Sequence, residues 1–176
     1  MPGVVWGPHD PHFGESARLA SDYLRGQLRS LPHGGTLSIV DIRDVAAAIA
    51  AMIEPGRGPR RYATAPHHVR LAELAAGLNR VTGRNIRTVT LPDALVGAMV
   101  APVGLLQRAL PFRLPVSTEA INLVRHFPPV DSSRVPEELG VQWTPFDQTL
   151  ADTITAMVER GQLAAKHAGT LAPVEA

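Results

Sequence analysis

Apolar positions along the chain change their period several times, and each change marks a predicted element. Val4-Val5-Trp6 is an unbroken apolar run stopped by Gly7-Pro8, as expected of a short buried strand entering the loop His9 to Gly14. Ala17, Ala20, Leu24 and Leu28 recur three and four apart, which predicts a helix from Glu15 to Leu28. Gly34-Gly35 then turns the chain into Thr36 to Ile42, rich in β-branched residues and read as a strand. Asp44 stands between that strand and the apolar segment Val45 to Ile53, where its carboxylate is expected to cap a helix. After the breakers Glu54 to Pro59, Arg61 to Thr64 is a strand candidate and His67-His68 a solvated turn.

Leu71, Leu74, Ala75, Leu78 and Val81 form a helical stripe that Gly83 closes at a C-cap, and Ile86 to Leu91 alternates as a strand does. Beyond Pro92 the pattern becomes helical and is divided by prolines: Asp93 to Leu110, Ser117 to His126, and a short helix or turn at Arg134 to Leu139. A last helix is expected from Asp147 to Gln162, with Leu150, Ile154, Met157 and Val158 on one face and Thr144 as its cap. Residues 164–176 are small and polar and are expected to fray. Strands fall mainly in the first half and helices in the second, so the chain is of the α/β class.

Composition narrows the function classes. The 176 residues are 45% apolar, enough for one core-bearing unit. Lys and Arg number 17 against 16 Asp and Glu, so no basic field reaches toward nucleic acid or anionic lipid. Cysteine is absent, which removes thiolate zinc sites and a thiol nucleophile. The longest uncharged apolar run, Leu95 to Leu106, is interrupted by Pro102 and is well short of the roughly 20 residues of a membrane span. No secretory signal pattern opens the chain, and the expected location is the cytoplasm. His9, Asp10 and His12 are residue types that bind metals, but Pro8 and Pro11 break any regular ligand spacing, and no metal site is assigned. Gly-x-Ser-x-Gly is also absent.

Three segments carry a family likeness. Pro2-Gly3-Val4-Val5-Trp6-Gly7-Pro8, Ile39-Val40-Asp41-Ile42-Arg43-Asp44-Val45-Ala46, and Asp131-Ser132-Ser133-Arg134 with Glu138-Leu139-Gly140-Val141 and Pro145 follow one another in order. Together they resemble the C-terminal half of the extended short-chain dehydrogenase/reductases, the NAD-dependent epimerase/dehydratase family, over about residues 2–163. The resemblance implies a partial Rossmann-type, doubly wound sheet followed by a mainly helical C-terminal portion of a substrate domain. It implies NAD or NADP as cofactor, with the backbone of Pro2, Gly3, Val4 and Val5 beside the nicotinamide. It further implies that His9, His12 and Phe13, in the loop after Gly-Pro, lie over a small-molecule substrate.

The family's chemistry needs two further motifs. A dinucleotide fingerprint sets glycines at fixed offsets so that backbone can approach the pyrophosphate, and no two glycines here are three apart. Tyr-x-x-x-Lys uses a cation to lower the phenol pKa, but Gln27 stands four after Tyr23, Pro66 four after Tyr62, and Gln162 four before the only lysine, Lys166. No catalytic residue is therefore assigned, and the resemblance places the catalytic pair ahead of Met1.

Leu37 stands near the place where nucleotide-sugar enzymes of the family carry Arg, which favours the likeness to dihydroflavonol-reductase-like members and an apolar alcohol or ketone. Leu95, Met99 and Leu106 would suit such a pocket. The expected partner is a separately encoded N-terminal half or a second copy of the chain. The alternative expectation is a non-enzymatic remnant that binds an apolar ligand or a partner.

Overall fold

The computed structural model describes residues 1–8, 10–53, 60–92, 94–95 and 129–173. Apart from Ala94 and Leu95, the latter 47% exposed, the helix expected at Asp93 to Leu110 lies outside the described residues, as do the helix expected at Ser117 to His126 and the pocket residues Met99 and Leu106.

Among the described residues five strands form two sheets. In the larger, β1 (Val4–Trp6) lies parallel to β3 (Thr36–Asp41), which pairs on its other side antiparallel to β4 (His67–Arg70). The register sets Val4 opposite Ile39 and Val5 opposite Val40. The smaller sheet pairs β2 (Ser30–Pro32) with β5 (Val89–Leu91), also in parallel. A parallel neighbour requires a crossover, and α1 (Glu15–Leu24) lies in the chain between β1 and β3.

Apolar faces meet where the sequence periods put them. Ala20 and Leu24 of α1, Ile39 of β3, and Leu150 and Ile154 of α5 (Phe146–Glu159) are wholly buried in one core. The stripe of α3 (Leu71–Thr82) joins them through Leu74 and Leu78, and Gly83 sits at its C-cap as expected. At the start of α3 the Glu73 carboxylate accepts the Arg70 amide at 2.9 Å. A second cluster joins Ala48 of α2 (Ile42–Met52), Tyr62, and Val135 of α4 (Arg134–Leu139).

Several expectations are corrected. The helix after β3 begins at Ile42, and its cap is Asp41, whose carboxylate accepts the Arg43 amide; Asp44 lies inside the first turn. Thr144 does not cap α5, whose N-cap residue is Pro145. Arg61 to Thr64 forms no strand beyond a single bridge between Thr64 and Pro2. His67 and His68 are not in a turn but in β4, where Ser38 Oγ lies 2.9 Å from His68 Nδ1 and the Thr144 carbonyl lies 2.9 Å from His67 Nε2.

Residues 164–173, expected to fray, form two 3-10 turns that bury Ala168 completely, with Thr170 donating to the Val81 carbonyl. Small residues let these turns lie close against α3. Among the described residues no helix is long and apolar enough to cross a membrane.

Candidate functional site

The loop after β1 is shaped by two requirements. Gly7 has φ +141°, and a Cβ there would stand 2.6 Å from Ile42 Cγ2, so only glycine allows β1 to leave the sheet this close to α2. Asp10 then folds the loop onto α1, its carboxylate accepting the amides of His12 at 3.0 Å and Gly14 at 2.6 Å. Phe13 takes φ 51°, a rare conformation for a residue with a side chain. Ser16 ties α1 back to β1 by donating to the Val5 carbonyl at 2.8 Å. Gln162, beyond α5, donates to the Asp10 carbonyl at 3.0 Å.

A cavity of about 280 Å³ opens between this loop, the start of α1 and the C-terminal half of α5. Its walls include Val5, Trp6, Pro8, Pro11, Ile42, Ala156 and Met157, with Asp10, Ser16, Thr153, Arg160 and Gln162 as the side chains with polar groups. Trp6 is 2% exposed, and its indole nitrogen has no hydrogen-bond partner among the described residues.

The two sides of the cavity are bolted together by a buried carboxylate. Asp41, at the end of β3, is fully buried and accepts from Arg43 Nε at 2.9 Å, Arg43 Nη2 at 2.7 Å and the Thr149 hydroxyl of α5 at 2.8 Å. Burial alone would raise its pKa, but the hydrogen bonds from Arg43 and Thr149 outweigh it and hold Asp41 below the usual carboxylate value. Hydrogen bonding to Asp41 and Asp152 raises the Arg43 pKa, and its second arm reaches Asp152 of α5 at 2.7 Å. Ile42 and Thr153, beside these groups, both line the cavity.

Of the backbone expected beside a nicotinamide, Val5 alone reaches the cavity wall. Pro2 bridges to Thr64, the Gly3 amide donates to the Thr64 carbonyl at 3.0 Å, and Val4 pairs with β3. His12 is exposed and Phe13 packs against the main core; neither lines the cavity, and His9 lies outside the described residues. What sequence reasoning missed is the contribution of α5. Its stripe reads as core, and Met157 is both core and cavity wall, while Ala156 and Arg160, one turn apart beside it, carry no motif.

A dinucleotide requires backbone amides free to approach its pyrophosphate. Here the Gly3 amide and the Val5 carbonyl are already engaged, and α1 follows Phe13-Gly14 rather than a glycine-rich turn. Among the described residues no glycine-rich turn opens a helix, so the pyrophosphate cradle of a dinucleotide is not formed there.

No family model matches the chain, and no curated protein matches its sequence. Solved structures do match in fold. Gox2253 is 20% identical with a TM-score of 0.71, covering 92% of this chain and 49% of its own. PA4631, a nucleoside-diphosphate-sugar epimerase from Pseudomonas aeruginosa, is 21% identical with a TM-score of 0.68, over 92% of this chain and 48% of its own. WbmG from Bordetella bronchiseptica, in complex with NAD and UDP, is 12% identical with a TM-score of 0.61, over 93% and 44%. The chain thus has the mixed α/β fold found in NAD-dependent sugar epimerases and dehydratases, and it spans about half the length of these proteins.

Proposed function

We propose that this chain is the substrate-binding C-terminal portion of an NAD(P)-dependent oxidoreductase or epimerase that acts at a CH–OH or ketone carbon of a fairly apolar small molecule. One observation carries the reading: the fold matches PA4631, a nucleoside-diphosphate-sugar epimerase, over 92% of this chain and only 48% of that one. The other half of such a protein would supply the glycine fingerprint and the Tyr-x-x-x-Lys pair, neither of which this sequence contains. Over Val4–Trp6, β1 has β3 as its one strand neighbour among the described residues. Parallel strands are ordinarily flanked and covered on both sides, so a β1 with one strand neighbour suits a complementary half.

The cofactor, when bound, would supply hydride chemistry. This chain's own residues would shape the apolar wall, fix the substrate against Val5 and α5, and exclude water. The test is turnover and composition together. The purified chain is expected to leave NADPH unoxidised with any ketone offered, and a C-terminally tagged copy recovered from its native host is expected to carry, in the same or an associated polypeptide, a glycine fingerprint and Tyr-x-x-x-Lys. Hydride transfer by the 176-residue chain alone would overturn the reading. Recovery of the bare chain as a stable monomer would favour the non-enzymatic binding remnant.

A further inference from the structure

We propose that the cavity behind the β1 loop takes a small organic acid, its apolar body held between α1 and α5 and its carboxylate on Arg160. The proposal rests on the reading of this cavity as the substrate site and narrows the substrate to an acid.

Size comes first. At about 280 Å³ the cavity lies at the small end of ligand pockets, which start near ~300 Å³. A short-chain or single-ring molecule fits. Pro8, Pro11, Ala17, Ala156 and Met157 give it an apolar lining.

Most polar groups of the wall are already committed. Both Asp10 carboxylate oxygens accept backbone amides. The Ser16 hydroxyl donates to Val5, the Thr153 hydroxyl to Thr149, and the Gln162 amide to Asp10. Two side-chain donors are left without partners among the described residues: the Trp6 indole N–H and the Arg160 guanidinium.

Arg160 follows α5 directly and is the one cation among the described residues that line the cavity. It is charged at any working pH, and its fork of N–H groups matches a carboxylate. Arg160 is exposed, so a ligand carboxylate in the cavity would take the place of water on it. Asp10, in the same wall, disfavours a carboxylate beside it. The buried indole N–H adds a donor that a ligand oxygen can satisfy if Trp6 adjusts.

The experiment is NMR titration of the methyl-labelled chain with hexanoate, alongside hexan-1-ol and hexanamide as neutral analogues. Hexanoate is expected to shift the Ala156 and Met157 methyl signals and to bind about tenfold more tightly than either analogue. Arg160→Gln, a change at an exposed position, should abolish that preference without altering the fold, and Arg160→Lys should restore part of it. Equal binding of all three probes, unchanged in Arg160→Gln, would overturn the acid while leaving an apolar substrate site in place. Absence of any shift at Ala156 and Met157 would overturn the acid site and remove the cavity as the substrate site. Loss of NAD(P)-linked chemistry in the native species would bear on the wider reading alone.

Discussion

Asp44 holds Thr144 across 100 residues of sequence, one carboxylate oxygen accepting the Thr144 amide at 2.8 Å and the other its hydroxyl at 2.7 Å. The pair fixes the approach to α5 against the first turn of α2, and Asp44 is only 4% exposed. Asp44→Ala leaves the Thr144 amide without its acceptor and is expected to cost about 2–3 kcal/mol, as for a hydrogen bond to a charged group. Thr144→Val removes only the hydroxyl bond and should cost about 1 kcal/mol. Urea denaturation of both variants checks the order; equal losses would mean that the hydroxyl, not the amide, carries the contact.

Glu138 collects three donors: Arg134 Nε, the Tyr62 hydroxyl and Arg60 Nη1, each at 2.8 Å. Hydrogen bonding from Arg134, with Tyr62 and Arg60 in support, lowers its pKa to about 2 from the ordinary 4.5. A depressed carboxylate stabilises the fold above its unfolded value, and the contribution is lost as pH falls through the folded one. The window therefore runs from 4.5 down to about 2. In Glu138→Gln the melting temperature should fall less steeply across that window than in the parent chain. An unchanged slope would show that the cluster does not persist in solution.

Gly3 sits where a side chain has no room, since a Cβ there would stand 2.3 Å from the Ser38 carbonyl oxygen and 2.9 Å from Ala65 Cβ. Backbone cannot swing aside as a side-chain tip can. Gly3→Ala is expected to cost about 3 kcal/mol by forcing β1 away from β3, at the upper end of ordinary overpacking. Thermal unfolding followed by circular dichroism measures it, and a loss below about 0.5 kcal/mol, the scale of a neutral surface change, would contradict the β1–β3 packing.

Local patterns revealed β1, β3, α3 and α5, because each carries its own apolar period and α3 its own C-cap glycine. Tertiary relationships were less legible. Asp41 and Asp44 both stand near the end of the same strand, and only the fold decides that the first caps α2 while the second reaches Thr144. β4 holds two histidines and no apolar run, so its strand character comes from pairing with Leu37 and Ser38. Of the loop after Gly7-Pro8, His9, His12 and Phe13 were expected to lie over a substrate, whereas the loop residues that line the cavity are Asp10 and Pro11. The opposite wall comes from α5, far away in sequence, and no spacing rule connects Ala156 or Arg160 to Val5.

Asp41 and Arg43 offer the sharpest test of how the cavity walls are held together. Asp41 is fully buried, while the Arg43 side chain is 43% exposed and shared with Asp152. Removing one partner of a buried pair costs roughly 3–5 kcal/mol, because the other is left charged without compensation. Here solvent reaches Arg43, and the Arg43 backbone amide and the Thr149 hydroxyl still serve the carboxylate after the side chain is lost. Arg43→Met is therefore expected to cost less, about 1–3 kcal/mol. Its loss should also raise the Asp41 pKa. Stability from a depressed carboxylate is present above its ordinary value of 3.8 and is lost as pH falls from there through the folded value, so with the folded value raised the variant should lose less stability to acid below that point than the parent does. Adding Asp41→Asn completes a double-mutant cycle. If the pair acts as described, Arg43→Met costs less in the Asp41→Asn background; equal costs in both backgrounds would mean that Arg43 stabilises the fold through Asp152 instead.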